Sequence, residues 1–101
     1  MSDPSQNLGP LTGIRVIDLT INVLGPVATQ ILGDMGAEVI KVETPSGDPM
    51  RQIGVSNTGT LGPFFQTTNR NKKSIILDLK KPECKRALLE LSKTADVFVH
   101  N

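Results

Sequence analysis

Apolar and polar positions change period several times along the chain, and each change marks an element. In "GIRVIDLT", residues 13–20, Ile14, Val16, Ile17 and Leu19 surround Arg15 and Asp18, a β-rich pattern that predicts a strand. "INVLGP" turns the chain. Val27, Ala28, Ile31, Leu32 and Met35 then fall at helical spacing and predict one buried apolar face. Pro26 sits where a first helical turn tolerates proline, and Gly36 where a C-terminal cap favours glycine. "EVIKVET", residues 38–44, predicts a second strand. Residues 45–71 carry Gly47, Gly54, Gly59, Gly62, Pro49 and Pro63, and a connection that long in a compact domain serves a function or packs against something else. Within it, "GPFFQTTNRN" suits a short helix around residues 64–68. "SIILDLK", residues 74–80, predicts a third strand, and Pro82 opens a second helix. Cys84, Leu88, Leu91 and Ala95 form its expected buried stripe, with Lys85, Arg86, Glu90 and Lys93 toward water. "DVFVHN", residues 96–101, starts as a fourth strand.

The order β-α-β, long connection, β-α-β predicts an α/β domain with a parallel sheet. Crossovers are right-handed, so two halves that run outward in opposite directions place their helices on opposite faces. The first and third strands are then expected as central neighbours. Ligands in such sheets bind at the carboxyl ends of the strands near this switch point, which directs attention to residues 21–26 and 77–80. Four strands and two helices leave faces and edges uncovered. The expected organisation is a flexible lead over residues 1–10, then residues 11–101 as the truncated N-terminal portion of a larger domain.

Composition narrows the function classes. A chain of 101 residues is one domain or part of one, able to bury about two-thirds of its unfolded surface. A formal net charge of +1 gives no general pull toward nucleic acid or membrane, and three Phe without Trp or Tyr make a poor platform for stacking bases. One Cys excludes an internal disulfide and suits a reducing compartment, and one Cys with one His argues against a metal site. The polar start lacks the order of a signal peptide, and no apolar run has membrane-spanning length. These features point to a cytoplasmic protein.

Several groups carry candidate chemistry, each with an ordinary structural reading beside it. After the first strand come only Gly25, Gly33 and Gly36, so the dinucleotide fingerprint G-x-G-x-x-G is missing. Glu43 lies near the distance expected of a ribose-binding acid, but a lone acid at a strand end is more often solvated or ion-paired. "INVLGP" leads into a helix N-terminus, which can hold an anion without that fingerprint, or is an ordinary connection. "LDLKKP" places Asp78, Lys80 and Lys81 at a strand end, suited to a phosphate or simply solvated. "NRNKK" adds Arg70, Lys72 and Lys73, a local basic patch that suits a polyphosphate better than a neutral sugar. In "GDPMR", Asp48 and Arg51 form a structural pair, or Arg51 meets an anionic ligand. Cys84 reads as core, His100 stands alone, and no Ser/His/Asp arrangement assembles.

Taken together, "GIRVIDLT", "INVLGP", "ATQILGDMGAEVIKVETPSGDPMR", "NRNKKSIILDLKKPE" and "LLELSKTADVFVHN" resemble the start of the class III CoA-transferases, the family that includes formyl-CoA and carnitine CoA-transferases and α-methylacyl-CoA racemases. The resemblance covers residues 11–101. It implies a Rossmann-like domain that binds coenzyme A, in a longer enzyme that forms an interlocked homodimer. Val23 and Leu24 match the family's CoA-contacting turn, Leu77, Asp78, Leu79 and Lys80 its second CoA-binding segment, and Asn101 an asparagine lining the site. Thr44 stands where the family often has a basic residue that meets the adenine end, so Arg51 is a candidate to supply that cation. Glu43 falls in the family's "KVE" run, with an expected structural or loop-orienting role. His100 replaces a common Glu. The resemblance implies transfer of CoA between carboxylic acids through an aspartyl-CoA intermediate. The nucleophilic aspartate lies beyond residue 101 and matches none of Asp18, Asp34, Asp48, Asp78 or Asp96, so no catalytic residue is assigned and this chain alone is expected to be inactive. The "SGDPMR" loop favours transferase over racemase. The competing reading is a non-catalytic nucleotide-binding α/β module.

Overall fold

A computed structural model of the chain describes residues 9–54 and 62–101. Most of the expected flexible lead and the Gly59 part of the long connection lie outside the described residues. Four strands, β1 (Arg15–Asp18), β2 (Glu38–Glu43), β3 (Lys72–Ile76) and β4 (Val97–Val99), form one parallel sheet in the order β3-β2-β1-β4. Helix α1 (Leu24–Asp34) joins β1 to β2, and α3 (Pro82–Ser92) joins β3 to β4. Between β2 and β3 the chain makes a 3-10 turn (Pro49–Gln52) and the short helix α2 (Pro63–Thr68).

This order corrects the expectation that β1 and β3 are central neighbours. β1 lies between β2 and β4, with Val16 opposite both Val39 and Val97, and β3 extends the sheet beyond β2. The direction of winding reverses at the α3 crossover, not in the long connection, because β3 stays on the free edge of β2. There the Leu77 N–H donates to the Glu43 carbonyl at 3.0 Å. β3 also ends earlier than predicted. Asp78 accepts the Lys80 N–H (3.1 Å) and its carbonyl accepts the Lys81 N–H (2.9 Å), so residues 77–80 pass into a turn.

The helices do cover opposite faces. One cluster joins Val16, Val39 and Ala37 with Leu32 of α1, and the other joins Ile17, Ile40 and Val42 with Leu88 and Leu91 of α3. The predicted stripe of α3 lies at the right positions but is only half buried, Cys84 included. Helix α1 departs further. Its buried residues are Pro26, Thr29 and Gln30, whereas Leu24, Ala28, Ile31 and Met35 face outward. The sheet explains this inversion. On the α1 face, Val16 and Val39 give way toward the carboxyl edge to Asp18, Lys41 and Glu43, and Lys72, level with Val39, extends its ammonium to Asp18, so the first turns of α1 meet charge and present polar groups to it.

Helix α1 ends as predicted at glycine. Gly36 N–H donates to the Gly33 carbonyl (3.0 Å) and Ala37 N–H to the Leu32 carbonyl (3.1 Å), a Schellman closure with Gly36 at φ +104°. An added Cβ there would lie 3.0 Å from Thr12 Oγ1 and 3.1 Å from Gly9 N. Gly36→Ala is expected to cost about 1–2 kcal/mol, read as a lower thermal unfolding midpoint. An unchanged midpoint would contradict this reading of the cap.

Candidate functional site

Because the four strands are parallel, their carboxyl ends share one edge, and each segment singled out in the sequence follows one of them. Residues 77–80 follow β3, Thr44 follows β2, residues 21–24 follow β1 and Asn101 follows β4. At strand spacing this edge is roughly 14 Å wide. The reversal between β1 and β4 is bridged by a reciprocal pair: the Ile21 N–H donates to Asn101 Oδ1 (3.1 Å), and Asn101 Nδ2 donates to the Ile21 carbonyl (3.0 Å). Asn22 takes φ +70°, a left-handed conformation that Asn tolerates, and the chain enters α1. Val23 gives the helix no side-chain cap, and no acid lies in its first turn, so these N–H groups retain the partial positive charge of a helix start. Val23 and Leu24 are exposed there, with Leu24 84% accessible.

Lys80 is exposed at the β3 end, and no carboxylate lies within ion-pair distance of Lys80 or Lys81 among the described residues. The "NRNKK" cations are committed elsewhere. Arg70 pairs with Asp34 (2.8 Å), Lys73 with Glu38 (2.8 Å) and Lys72 with Asp18 (2.9 Å), so the expected basic patch is locally neutralised. The edge therefore offers exposed apolar side chains, a helix start and peripheral ammonium groups, a combination suited to an elongated ligand with anionic and apolar parts.

Directly beneath this edge lies a buried ionic layer. Asp18 Oδ2 pairs with Lys72 Nζ at 2.9 Å, and Lys41 Nζ with Asp48 Oδ2 at 2.8 Å, with all four side chains at most 2% exposed. Glu43 pairs with Arg51 at 2.7 Å. The pairing thus differs from the expected Asp48–Arg51 pair, because the Asp48 side chain turns inward to Lys41. Burial opposes ionisation of Asp18, but Thr20, Lys72 and Thr29 outweigh it and hold the carboxyl below its usual range. Burial is also the largest influence on Lys72 and, against Asp18, brings its pKa down.

Glu43 organises the following loop. Its Oε1 accepts the Asp48 N–H (2.8 Å) and Arg51 Nε–H (2.8 Å), its Oε2 accepts Arg51 Nη2–H (2.7 Å), and Ser74 Oγ donates to it from β3. Burial raises its pKa, but Arg51, Ser74 and Asp48 outweigh that and lower it from 4.5 to about 2. The Arg51 guanidinium carbon sits 3.8 Å from the centre of the buried Phe65 ring. The structural or loop-orienting role expected of Glu43 is visible in these contacts, and the turn expected in "GDPMR" is the 3-10 turn Pro49–Gln52, held through Glu43 and not by an Asp48–Arg51 pair.

Sequence reasoning identified the edge residues and missed Lys41, the Asp18–Lys72 pairing and Phe65. A period-two reading of β2 carries a signal for Lys41: it shares a face with Val39 and Glu43, so an ammonium falls on a face that must be covered. Asp18, Asp34, Asp48, Asp78 and Asp96 are each engaged, the first and third in buried pairs, Asp34 with Arg70, Asp78 by the Lys80 N–H and Asp96 by the Arg15 N–H.

Comparison with known proteins identifies the family. A family model described as CoA-transferase family III matches residues 11–101. The human succinyl-CoA:glutarate CoA-transferase is 47% identical over 96 residues, covering 94% of this chain and 22% of that protein. The succinate–glutarate CoA-transferase of Agrobacterium fabrum is 43% identical over 108 residues, covering 100% of this chain and 27% of its own length. The crystal structure of a CaiB/BaiF family protein from Brucella suis superposes with a TM-score of 0.86 at 37% identity, over 92% of this chain and 26% of that one. The chain thus spans about a quarter of the length of these relatives.

Proposed function

We propose that this chain, which belongs to CoA-transferase family III, forms the coenzyme A-holding edge of a protein that moves CoA between carboxylic acids. The observation that carries the reading is the collection of residues 21–24, 44, 77–80 and 101 on one carboxyl edge, with Asn101 bonded to Ile21 across the switch point. In this reading Val23 and Leu24 lie against CoA beside the α1 start, and Leu77, Asp78 and Leu79 shape the opposite end. Lys80 supplies a point charge to a phosphate, Asn101 fixes the turn against the ligand, and Thr44 and Arg51 border the adenine end.

The chemistry we assign to the longer protein proceeds through a carboxylate nucleophile outside these residues. An aspartate attacks the acyl-CoA thioester, forming a mixed anhydride and releasing CoA thiolate. The thiolate attacks the aspartyl carbonyl, forming aspartyl-CoA and freeing the donor acid. The acceptor carboxylate repeats the exchange, and the aspartate is restored. The names of the relatives make succinyl-CoA with glutarate the first pair to assay. We further assign the protein to the cytoplasm as an interlocked homodimer. The single Cys84 suits a reducing compartment, and the homodimer rests on the family resemblance.

The test is transfer of CoA from succinyl-CoA to glutarate and other dicarboxylates by the full-length protein. Lys80→Ala is expected to raise KM for the acyl-CoA about tenfold, or ~1.4 kcal/mol, with kcat little changed. An unchanged KM would remove Lys80 from the site, and α-proton exchange without CoA transfer would favour the racemase reading.

A further inference from the structure

Residues 21–25, which run from the β1–α1 loop into the first turn of α1, lie between two carbonyls, and each carbonyl is held by a different buried lysine. Lys41 Nζ, from β2, donates to the Thr20 carbonyl at 2.8 Å. Lys72 Nζ, from β3, donates to the Pro26 carbonyl at 3.0 Å and to Asn69 Oδ1 at 2.8 Å. Their side chains are 1% and 2% exposed, and each ammonium is compensated by one buried aspartate, Asp48 or Asp18. Asp18 closes the frame by accepting the Thr20 N–H (2.8 Å) and the Thr29 hydroxyl (2.7 Å). Gly25 makes the fit close, since an added Cβ there would fall 2.6 Å from Thr20 Cβ.

Two strands thus contribute ammonium groups whose reach ends on the backbone of a third segment. An apolar residue at either position would cover the sheet equally well, as Val39 does one step below Lys41. We propose that Lys41 and Lys72 are positioning residues that fix the β1–α1 loop at its start and the first turn of α1 at its end, on either side of Val23 and Leu24, and so pre-form the surface on which the ligand lies. The inference rests on the CoA reading for the identity of that ligand, while the clamp itself is independent of it. Pre-organisation of this kind acts on binding more than on the reacting atoms, so its loss raises KM and spares kcat.

Lys41→Met alone strands Asp48 as a buried charge, so the informative variant is Lys41→Met with Asp48→Asn, which removes both charges together. Lys72→Met with Asp18→Asn is the parallel variant if the first does not fold. Two readouts are made on full-length protein. Hydrogen exchange without ligand is expected to accelerate at least tenfold at the Ile21 and Val27 amides, which are bonded to Asn101 Oδ1 and to the Val23 carbonyl, with β1 and β2 amides unchanged. The dissociation constant for CoA is expected to rise about five- to twentyfold, with kcat at saturation within about twofold of the parent. Wild-type exchange at the Ile21 and Val27 amides in a variant that folds would overturn the clamp, whatever CoA does. Exchange that rises evenly across the sheet would also overturn it, because the lysines would then be merely structural. Faster loop exchange in the variant, beside a parent protein that fails to bind CoA, would leave the clamp standing and overturn the CoA reading instead.

Discussion

Asp18→Ala is expected to be the most damaging single substitution in the described residues, lowering stability by about 3–5 kcal/mol. The Asp18 side chain is wholly buried, and its loss leaves the Lys72 ammonium, 2% exposed, without its counter-charge. It also removes the acceptor of the Thr29 hydroxyl at 2.7 Å and the Thr20 N–H at 2.8 Å. Removing one member of a buried pair costs far more than the pair is worth, because the remaining charge stays desolvated. The exposed Arg70–Asp34 pair provides the contrast, since water solvates whatever partner is left there. Thermal unfolding of the full-length protein checks both. Asp18→Ala should lose most of its cooperative transition while Asp34→Ala keeps a near-parental midpoint, and equal effects would contradict the buried-layer account.

Acid is expected to loosen the loop beyond β2 through Glu43. Its folded pKa of about 2 lies below the unfolded value of 4.5, so its contribution is fully present above 4.5 and is lost as pH falls from 4.5 toward 2. The full shift would correspond to ~3 kcal/mol, and partial access of water to the Arg51 end brings the expected figure to about 2 kcal/mol. Asp18, also depressed, adds to the same acid limb. Unfolding midpoints measured from pH 7 to pH 2.5 should hold above about pH 5 and fall below it. Glu43→Gln should start lower at pH 7 and show a shallower acid limb, whereas a limb as steep as the parent's would show that Glu43 does not set it.

The element order and the edge residues were legible in the sequence because hydrophobic period, proline and glycine mark local structure directly. Pro82 and Gly36 fall where the helices begin and end. The strand order was less accessible, since nothing local in residues 72–76 states whether β3 pairs with β1 or β2. The inversion of α1 was hidden for a related reason. An apolar stripe at helical spacing normally faces the sheet, and here the sheet beneath it is ionic at its carboxyl end. Only the lateral neighbours reveal that layer, because Asp18 and Lys72 are far apart in sequence, Lys41 and Asp48 are joined by a turn of the loop, and each alone reads as a solvated charge. The Arg51 guanidinium shows the same limit. Its spacing from Asp48 suggested a turn pair, while its bonds to Glu43 and its place over Phe65 depend on α2, which folds back from beyond the loop.

Calorimetric titration of the full-length protein with CoA and with NAD, each on the parent and on Lys80→Ala, tests the central claim most directly. The account predicts saturable CoA binding that weakens about tenfold in Lys80→Ala, and no binding of NAD, whose glycine fingerprint the β1–α1 turn lacks. NAD binding that is lost in Glu43→Ala, with no heat from CoA, would contradict it.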